Sequence, residues 1–289
     1  QKKSKKKIVV KDTLKFLTKA SSILRENLSS KIISITGSCG KTSLKELTGR
    51  SLKKISQTTY SPKSFNNKYG VPLSLFNLKK NDEFGIFEIG MDKRGEIDYL
   101  SKIIKPDVGV ITNISHAHIK NFKNINQIAL AKSEIIKNIN DDGYLVLNKD
   151  DKFYNFHKKI AIKRNLKILS FSLKNKSATT YLDSISKEKS KYKIFININK
   201  KKKLFYLNTF FENDLKNLLA SITIISIFKD IHRLDKNIFY DHKATNGRGD
   251  IVKVKLFKKN LYLVDESYNS NPLSLKSALN NFDMIKVDN

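Results

Sequence analysis

The sequence predicts an α/β protein: a mostly parallel sheet flanked by helices, a small antiparallel patch after it, and the start of a further α/β unit. Three observations lead there. In the first half of the chain, apolar runs of strand length ("KIISIT", "FGIFEIGM", "DVGVITNIS", "GYLVLN") alternate with helical stretches. Such alternation builds a parallel sheet covered on both faces. Between the first run and its helix lies "TGSCGKTS", a glycine-bracketed turn. From about Lys167 the strands shorten and are separated by polar links, as in antiparallel pairing.

Taken in order, residues 7–10, "KIVV", read as a strand end. "KDTLKFLTKASSILREN" has apolar residues at Leu14, Phe16, Leu17, Ile23 and Leu24, the spacing of an amphipathic helix. "TSLKELTGRSLKKI" and "RGEIDYLSKII" are helices, and "INQIALAKSEIIKNI" is a single, strongly periodic one. "KILSFSL", "YKIFINI" and "KLFYLNTF" make the antiparallel patch, with the lysine run at 200–203 as a solvated hairpin turn. "ENDLKNLLASITIISIF" is a helix. The strands "DIVKVKLF" and "LYLVDES" and the helix "PLSLKSALNNF" begin the further unit.

Composition narrows the function classes. No apolar run in the 289 residues approaches the ~20 needed to span a membrane. The start "QKKSKKKIVV" lacks the long apolar stretch and small-residue cleavage site of a signal peptide. A single cysteine, Cys39, excludes an intramolecular disulfide framework and agrees with a reducing cytoplasm. The net charge of +29 raises nucleic acid as a partner. However, the cations are nearly all scattered lysines, whereas nucleic-acid modules gather arginine and aromatics on one face. No nucleic-acid partner is expected.

In a parallel sheet, ligands sit at the carboxyl ends of the strands. Thr36, Glu88, Asn113, His116, His118, Asn148 and Asp150 all fall at or just past those ends. A strand–glycine turn–helix points free N–H groups and the positive end of a helix at one place, which suits a phosphate. Here Gly37 and Gly40 bracket the turn and Lys41 and Thr42 follow, a shorter G-x-x-G-K-T form of the usual phosphate loop, whose first glycine would fall at Ile35. Glu88 lies in a buried strand, where a carboxylate needs a partner or a metal. His118 and Lys132 are less telling taken singly: one reads as a loop histidine, the other as a lysine snorkelling from an apolar helix face.

In order along the chain, these stretches resemble the Mur ligases, the ATP-dependent amino-acid and peptide ligases of bacterial cell-wall synthesis. "TGSCGKTSLKE" is similar to the family's T-G-S-N-G-K-T-x-x-K-E. "SFNNKYGVPLSLFNL" resembles N-x-N-N-x-x-G-V-P-L-T-L-L. "FEIGMDKRGEI", running on to "NISHAHIKNF", resembles E-x-G-x-x-x-x-G-E-I and N-x-x-x-A-H-L-E-x-F. "IALAKSEII" resembles A-x-A-K-x-E-I, and "VDESYNSNPLSLKSAL" resembles D-D-x-Y-N-A-N-P-x-S-x-x-x-A-L. The N-N-x-x-G-V-P-L and Y-N-x-N-P pieces point to the branch that joins D-alanyl-D-alanine to UDP-N-acetylmuramoyl-tripeptide through an acyl-phosphate.

The resemblance implies a site and a domain plan. Gly37, Ser38, Cys39, Gly40, Lys41, Thr42 and Ser43 would hold ATP phosphates. Thr42 and Glu88 would hold one Mg²⁺ and His118 a second. Lys132 would be carbamylated into a further metal ligand. Asn213 and Asn217 would approach the base, Arg248 the γ-phosphate, and Asp265, Tyr268 and Asn271 the ribose. Ser61, Asn66 and Asn67 would receive the UDP-tripeptide. Lys41, Lys132, His118 and Arg248 would carry the catalysis. Residues 1–29 would end an N-terminal substrate domain, 30–243 would form the ATP domain, and 244–289 would begin a truncated, Rossmann-like C-terminal ligase domain. A cytoplasmic monomer is implied. Four positions depart from the family pattern: Cys39 for Asn, Ser43 for Thr, Lys120 for Glu and Glu212 for His. The alternatives are a sister Mur ligase, a folylpolyglutamate synthetase-like ligase, or a basic phosphate-loop protein that binds nucleic acid.

Overall fold

The computed structural model describes residues 8–116, 121–189, 191–208, 212–242, 247–256, 259–269 and 272–283. Nine strands form one sheet: β1 (Lys31–Thr36), β2 (Thr58–Tyr60), β3 (Phe84–Glu88), β4 (Val108–Ile111), β5 (Tyr144–Asn148), β6 (Lys167–Ser172), β7 (Thr180–Glu188), β8 (Lys191–Ile198) and β9 (Lys201–Leu207). Their order is β2-β3-β1-β4-β5-β6-β7-β8-β9. Pairing is parallel from β2 through β7 and antiparallel across β7-β8-β9. β1 therefore sits inside the parallel part, between β3 and β4, and the loops after these three strands share one edge.

The helices are α1 (Thr13–Glu26), α2 (Lys41–Lys53), α3 (Gly70–Leu75), α4 (Glu96–Ile104), α5 (Ile125–Lys132), α6 (Glu134–Lys137), α7 (Tyr154–Lys163), α8 (Glu212–Ile225) and α9 (Pro272–Asp283). Successive strand residues face opposite sides, and the two cores follow this alternation. Ile33 and Ile35 of β1 join Leu44 and Leu47 of α2 and Leu218 and Ile222 of α8 on one face. Ile32 joins Val71 of α3, Leu100 of α4 and Ile128 of α5 on the other. All of these are buried. β10 (Asp250–Leu256) and β11 (Lys259–Asp265) form a separate antiparallel pair.

Four expectations need correction. Residues 8–10 form no strand. "KILSFSL" is not antiparallel: β6 continues the parallel sheet beside β5, and the antiparallel part begins at β7, which the sequence reading did not foresee. Only Asn199 and Lys200 make the β8–β9 turn, both with positive φ (48° and 68°), and Lys201 already lies in β9. Two residues with φ > 0 match the right-handed twist of a tight hairpin. Finally, the long helix expected around Lys132 is two helices joined at Ser133, whose hydroxyl donates to the Leu130 carbonyl (2.7 Å). Such back-bonding competes with the helical ladder. Just past the break, the Glu134 carboxylate accepts from Gly95 N (2.8 Å) and Asp98 N (3.1 Å) at the start of α4.

Candidate active site

The loop between β1 and α2 is held from below by the loop after β4. Asn113 O accepts from Ser38 N (2.9 Å) and Asn113 Oδ1 from Cys39 N (3.0 Å), while Thr112 Oγ1 donates to Cys39 O (2.6 Å). Gly37 has φ +145°, and a Cβ there would lie 1.9 Å from Thr112 Oγ1, so the position admits only glycine. Gly40, at φ +81°, opens α2. Lys41 Nζ donates back to Gly37 O (3.0 Å), which puts the ammonium over the loop.

Thr42 Oγ1 donates to Glu88 Oε2 (2.6 Å), and Asn66 Nδ2 donates to Glu88 Oε1 (2.7 Å). Glu88 is 1% exposed and has no cationic partner among the described residues. Its carboxylate is held by neutral donors alone beside a phosphate-type loop, a donor set suited to a hard cation. Among the described residues no group of three His, Cys, Asp or Glu side chains gathers at one point. His118 and Asn271 lie outside the described residues.

Lys132 is 2% exposed. Burial holds its pKa well below the ordinary lysine range, the Lys41 charge pushes the same way, and Cys39 opposes. Lys132 and Lys41 are thus electrostatic neighbours although α5 and α2 are far apart in sequence. His157 of α7 packs alongside: burial, with a further push from the Lys132 charge, lowers its pKa to about 4, and its Nε2 lies 3.1 Å from Ala129 O.

The glycine loop, Lys41 and Glu88 face a cleft of about 760 Å³ whose walls include residues 38–41, Ser43, Asn66, Asn67, Glu88, Asn213, Asn217, Arg248 and Tyr268; Lys132 and His157 do not line it. Asn213 donates to Ser277 Oγ of α9 (2.6 Å). Arg248 stacks on Tyr268, 4.0 Å from the ring centroid, and donates to Ser64 Oγ (3.3 Å). Gly37, Thr42 and Ser61 stand just behind the wall; Ser61 Oγ reaches Glu88 N at 3.4 Å. Asn67 accepts from Gly70 N (2.9 Å) at the start of α3. Asp265 turns its carboxylate to Ser267 N (2.9 Å), and it is the neighbouring Glu266 that lines the cleft.

Two supporting residues, Ser64 and Lys45, escaped the sequence reading, and the supporting role of a third, Asn113, was not foreseen. Ser64 bridges Thr42 Oγ1 (3.2 Å) and Arg248. Asn113 was legible only as a polar strand tip. Lys45, fully buried, donates to the carbonyls of Ser61 (2.5 Å) and Lys63 and so ties α2 to the segment carrying Asn66. The signal for Lys45 was its place in "KTSLKE", a polar residue on a helix face that otherwise buries leucines.

Residues 35–225 match the Mur ligase middle domain. UDP-N-acetylmuramoyl-tripeptide–D-alanyl-D-alanine ligase of Rickettsia prowazekii (strain Madrid E) is 34% identical over 292 residues, covering 98% of this chain and 62% of that protein. Among solved structures, UDP-N-acetylmuramoylalanyl-D-glutamyl-2,6-diaminopimelate–D-alanyl-D-alanyl ligase of Acinetobacter baumannii matches with TM-score 0.84 and 27% identity, over 96% of this chain and 60% of that one. MurF ligase of Thermotoga maritima, solved in complex with ADP, shares the fold at TM-score 0.80 and 24% identity, over 96% of this chain and 62% of that one. The chain thus spans about three fifths of the length of these relatives. Among the described residues no helix is long and apolar enough to cross a membrane.

Proposed function

Because the chain belongs to the Mur ligase family, we propose that it is the nucleotide-handling part of an ATP-dependent, ADP-forming amide ligase that adds D-alanyl-D-alanine to UDP-N-acetylmuramoyl-tripeptide in the cytoplasm. The observation that carries this reading is one cleft edge formed by the glycine loop, Lys41 and Glu88, with Thr42 donating to Glu88 just behind it. The relatives' names supply the two substrates, and the ADP bound to the Thermotoga ligase supports a nucleotide in this cleft. In this reading residues 1–29 close a substrate domain, 30–243 form the ATP domain and 244–289 begin the ligase domain.

An amide cannot form directly from a carboxylate and an amine in water, so the carboxylate must be activated. The tripeptide carboxylate attacks the γ-phosphorus of ATP, giving an acyl-phosphate and ADP. The dipeptide amine then attacks the acyl carbon, and phosphate leaves. The protein's work is positioning and neutralisation. Loop amides and Lys41 hold the phosphate chain. Arg248, oriented by Tyr268 and Ser64, neutralises the terminal oxygens. Asn213 and Asn217 would approach the base, and Tyr268 the ribose; for Asp265 and Asn271 the ribose role rests on the family resemblance alone. Ser61, Asn66 and Asn67 receive the acyl substrate.

Two Mg²⁺ ions, when bound, supply the remaining charge neutralisation; Thr42, Glu88, His118 and a carbamylated Lys132 would hold them. Lys132 suits that modification. Its burial favours the neutral amine, which is the form that adds CO₂ and loses a proton to become a carbamate.

Steady-state ADP release tests the reading. It should require both the UDP-tripeptide and D-alanyl-D-alanine, fall at least ~100-fold in Lys132→Ala, and recover in part with a short carboxylic acid. Equal ADP release from Lys132→Ala, or release indifferent to the dipeptide, would contradict it.

A further inference from the structure

Three cationic side chains of the cleft lie outside the glycine loop, on a wall that also carries Asp92 and Glu96. Lys93 and Arg94, on the loop between β3 and α4, and Lys68, just before α3, all line it and all are exposed. The other cations of the cleft are engaged: Lys41 on Gly37 O, Arg248 on Ser64 and Tyr268, Lys216 on Glu212 (2.6 Å). Among the described residues, Lys68, Lys93 and Arg94 make no ion pair. Lys68 only overhangs the Tyr69 ring, at 5.2 Å. The nearby Glu96 carboxylate accepts from Asp92 N (2.6 Å) and Lys93 N (3.1 Å), both through Oε2, and makes no ion pair among the described residues. The loop is also fixed to the phosphate end of the cleft: Gly90 N donates to Asn66 O (2.8 Å), and Asn66 in turn donates to Glu88. Aromatic and apolar surface from Leu14, Tyr69, Tyr99 and Leu100 fills the same wall.

We infer that Arg94, assisted by Lys93 and Lys68, selects acyl substrates that carry a second carboxylate close to the one being activated. This rests on the ligase reading and specifies its substrate class. Arginine's planar fork matches a carboxylate with two parallel hydrogen bonds. A glutamyl or diaminopimelate residue, as named in the Acinetobacter enzyme's substrate, keeps a free carboxylate after linkage or activation. The UDP pyrophosphate is also an anion, but a sugar and a peptide of ~3.3–3.6 Å per residue separate it from the activated end. The loop carrying Arg94 is anchored through Gly90 to Asn66, which bonds Glu88, and this favours the carboxylate at the activated end as the anion.

The test is calorimetric binding, with a non-hydrolysable ATP analogue present, of three ligands to the parent chain and to Arg94→Gln. The ligands are the UDP-linked tripeptide, the same compound with its spare carboxylates as amides, and the tripeptide without UDP-sugar. Arg94→Gln should weaken the first and third about tenfold, the scale of one lost charge-assisted hydrogen bond. It should leave the amide form and the ATP analogue unchanged, and amidation should weaken the parent by the same factor. Equal loss for the acid and amide forms, no loss at all, or a loss that disappears without UDP-sugar would overturn the inference alone. A parent chain that binds the ATP analogue but none of the three peptides would overturn the proposed function with it.

Discussion

At the scale of single residues, the site combines costs that a protein built only for stability would avoid. Lys132 is the clearest. A buried ammonium with no hydrogen-bond partner among the described residues carries a desolvation penalty, and the charge on Lys41 adds to it. The sign of the pH dependence follows. The folded state gives up a proton that the unfolded chain keeps until about pH 10.4, so unfolding takes up a proton and stability rises with pH up to that point. Lys132→Met, measured by urea unfolding in CO₂-depleted buffer, should be ~1–3 kcal/mol more stable than the parent at pH 7 and should lose the upward slope. A parent stability independent of pH between 7 and 10, or a less stable Met variant, would show that Lys132 is paired in solution. Gly37 is the converse case: its positive φ and the contact with Thr112 are conditions only glycine meets, and the glycine-bracketed sequence announced them.

At the scale of elements, Arg25 makes the largest set of polar contacts fastening α1 to the fold, beside Thr18–Tyr99 (3.0 Å) and Glu26–Lys105 (2.6 Å). Arg25 Nε donates to Ile104 O (2.9 Å), Nη1 to Leu28 O (3.0 Å) and Nη2 to Lys105 O (3.1 Å), with Asp107 3.5 Å away. Burial lowers its pKa, and Asp107 partly restores it. Arg25→Ala removes three donors from the carbonyls ending α1 and α4 and should destabilise by ~3 kcal/mol, with earlier proteolysis between α1 and β1. Arg25→Lys should recover little of this, since a point charge cannot serve three divergent acceptors. An alanine variant with parental stability would show that α1 is held without Arg25.

Legibility divides along the same line. β1, β3, β4 and β5, the phosphate-type loop and α2 were readable because apolar runs and glycines are local signals; β2, only three residues long, was not. β7 was not: "TYLDSISKE" exposes much of its length and carries little apolar patterning. Nor was the break at Ser133, which depends on where Glu134 turns in three dimensions. Within the site, Thr42, Glu88 and Lys132 were named from resemblance. Ser64 and Lys45 were missed, and Asn113 was seen only as a polar strand tip, because their importance lies in contacts made across the sheet edge.

At the scale of the whole molecule, the net charge of +29 opposes compaction through self-repulsion. Few of the lysines are neutralised by buried pairs, and many instead lie over aromatic rings, such as Lys191 at 4.0 Å from the Tyr206 centroid. Screening should therefore stabilise the fold. The midpoint of thermal unfolding is expected to rise between 20 mM and 300 mM salt, as the Debye length shrinks from roughly 20 Å to roughly 6 Å. A midpoint that falls would mean that surface ion pairs outweigh the repulsion.

As proposed, the cleft edge at β1, β3 and α2 receives a magnesium–nucleotide. Titration of a non-hydrolysable ATP analogue into the chain, with and without Mg²⁺, tests it most directly. Expected are saturable binding that Mg²⁺ strengthens, loss of that binding in Lys41→Ala, and a Glu88→Gln variant that binds the analogue weakly and equally with or without Mg²⁺. Binding that persists in Lys41→Ala, or Mg²⁺ enhancement undiminished in Glu88→Gln, would contradict it.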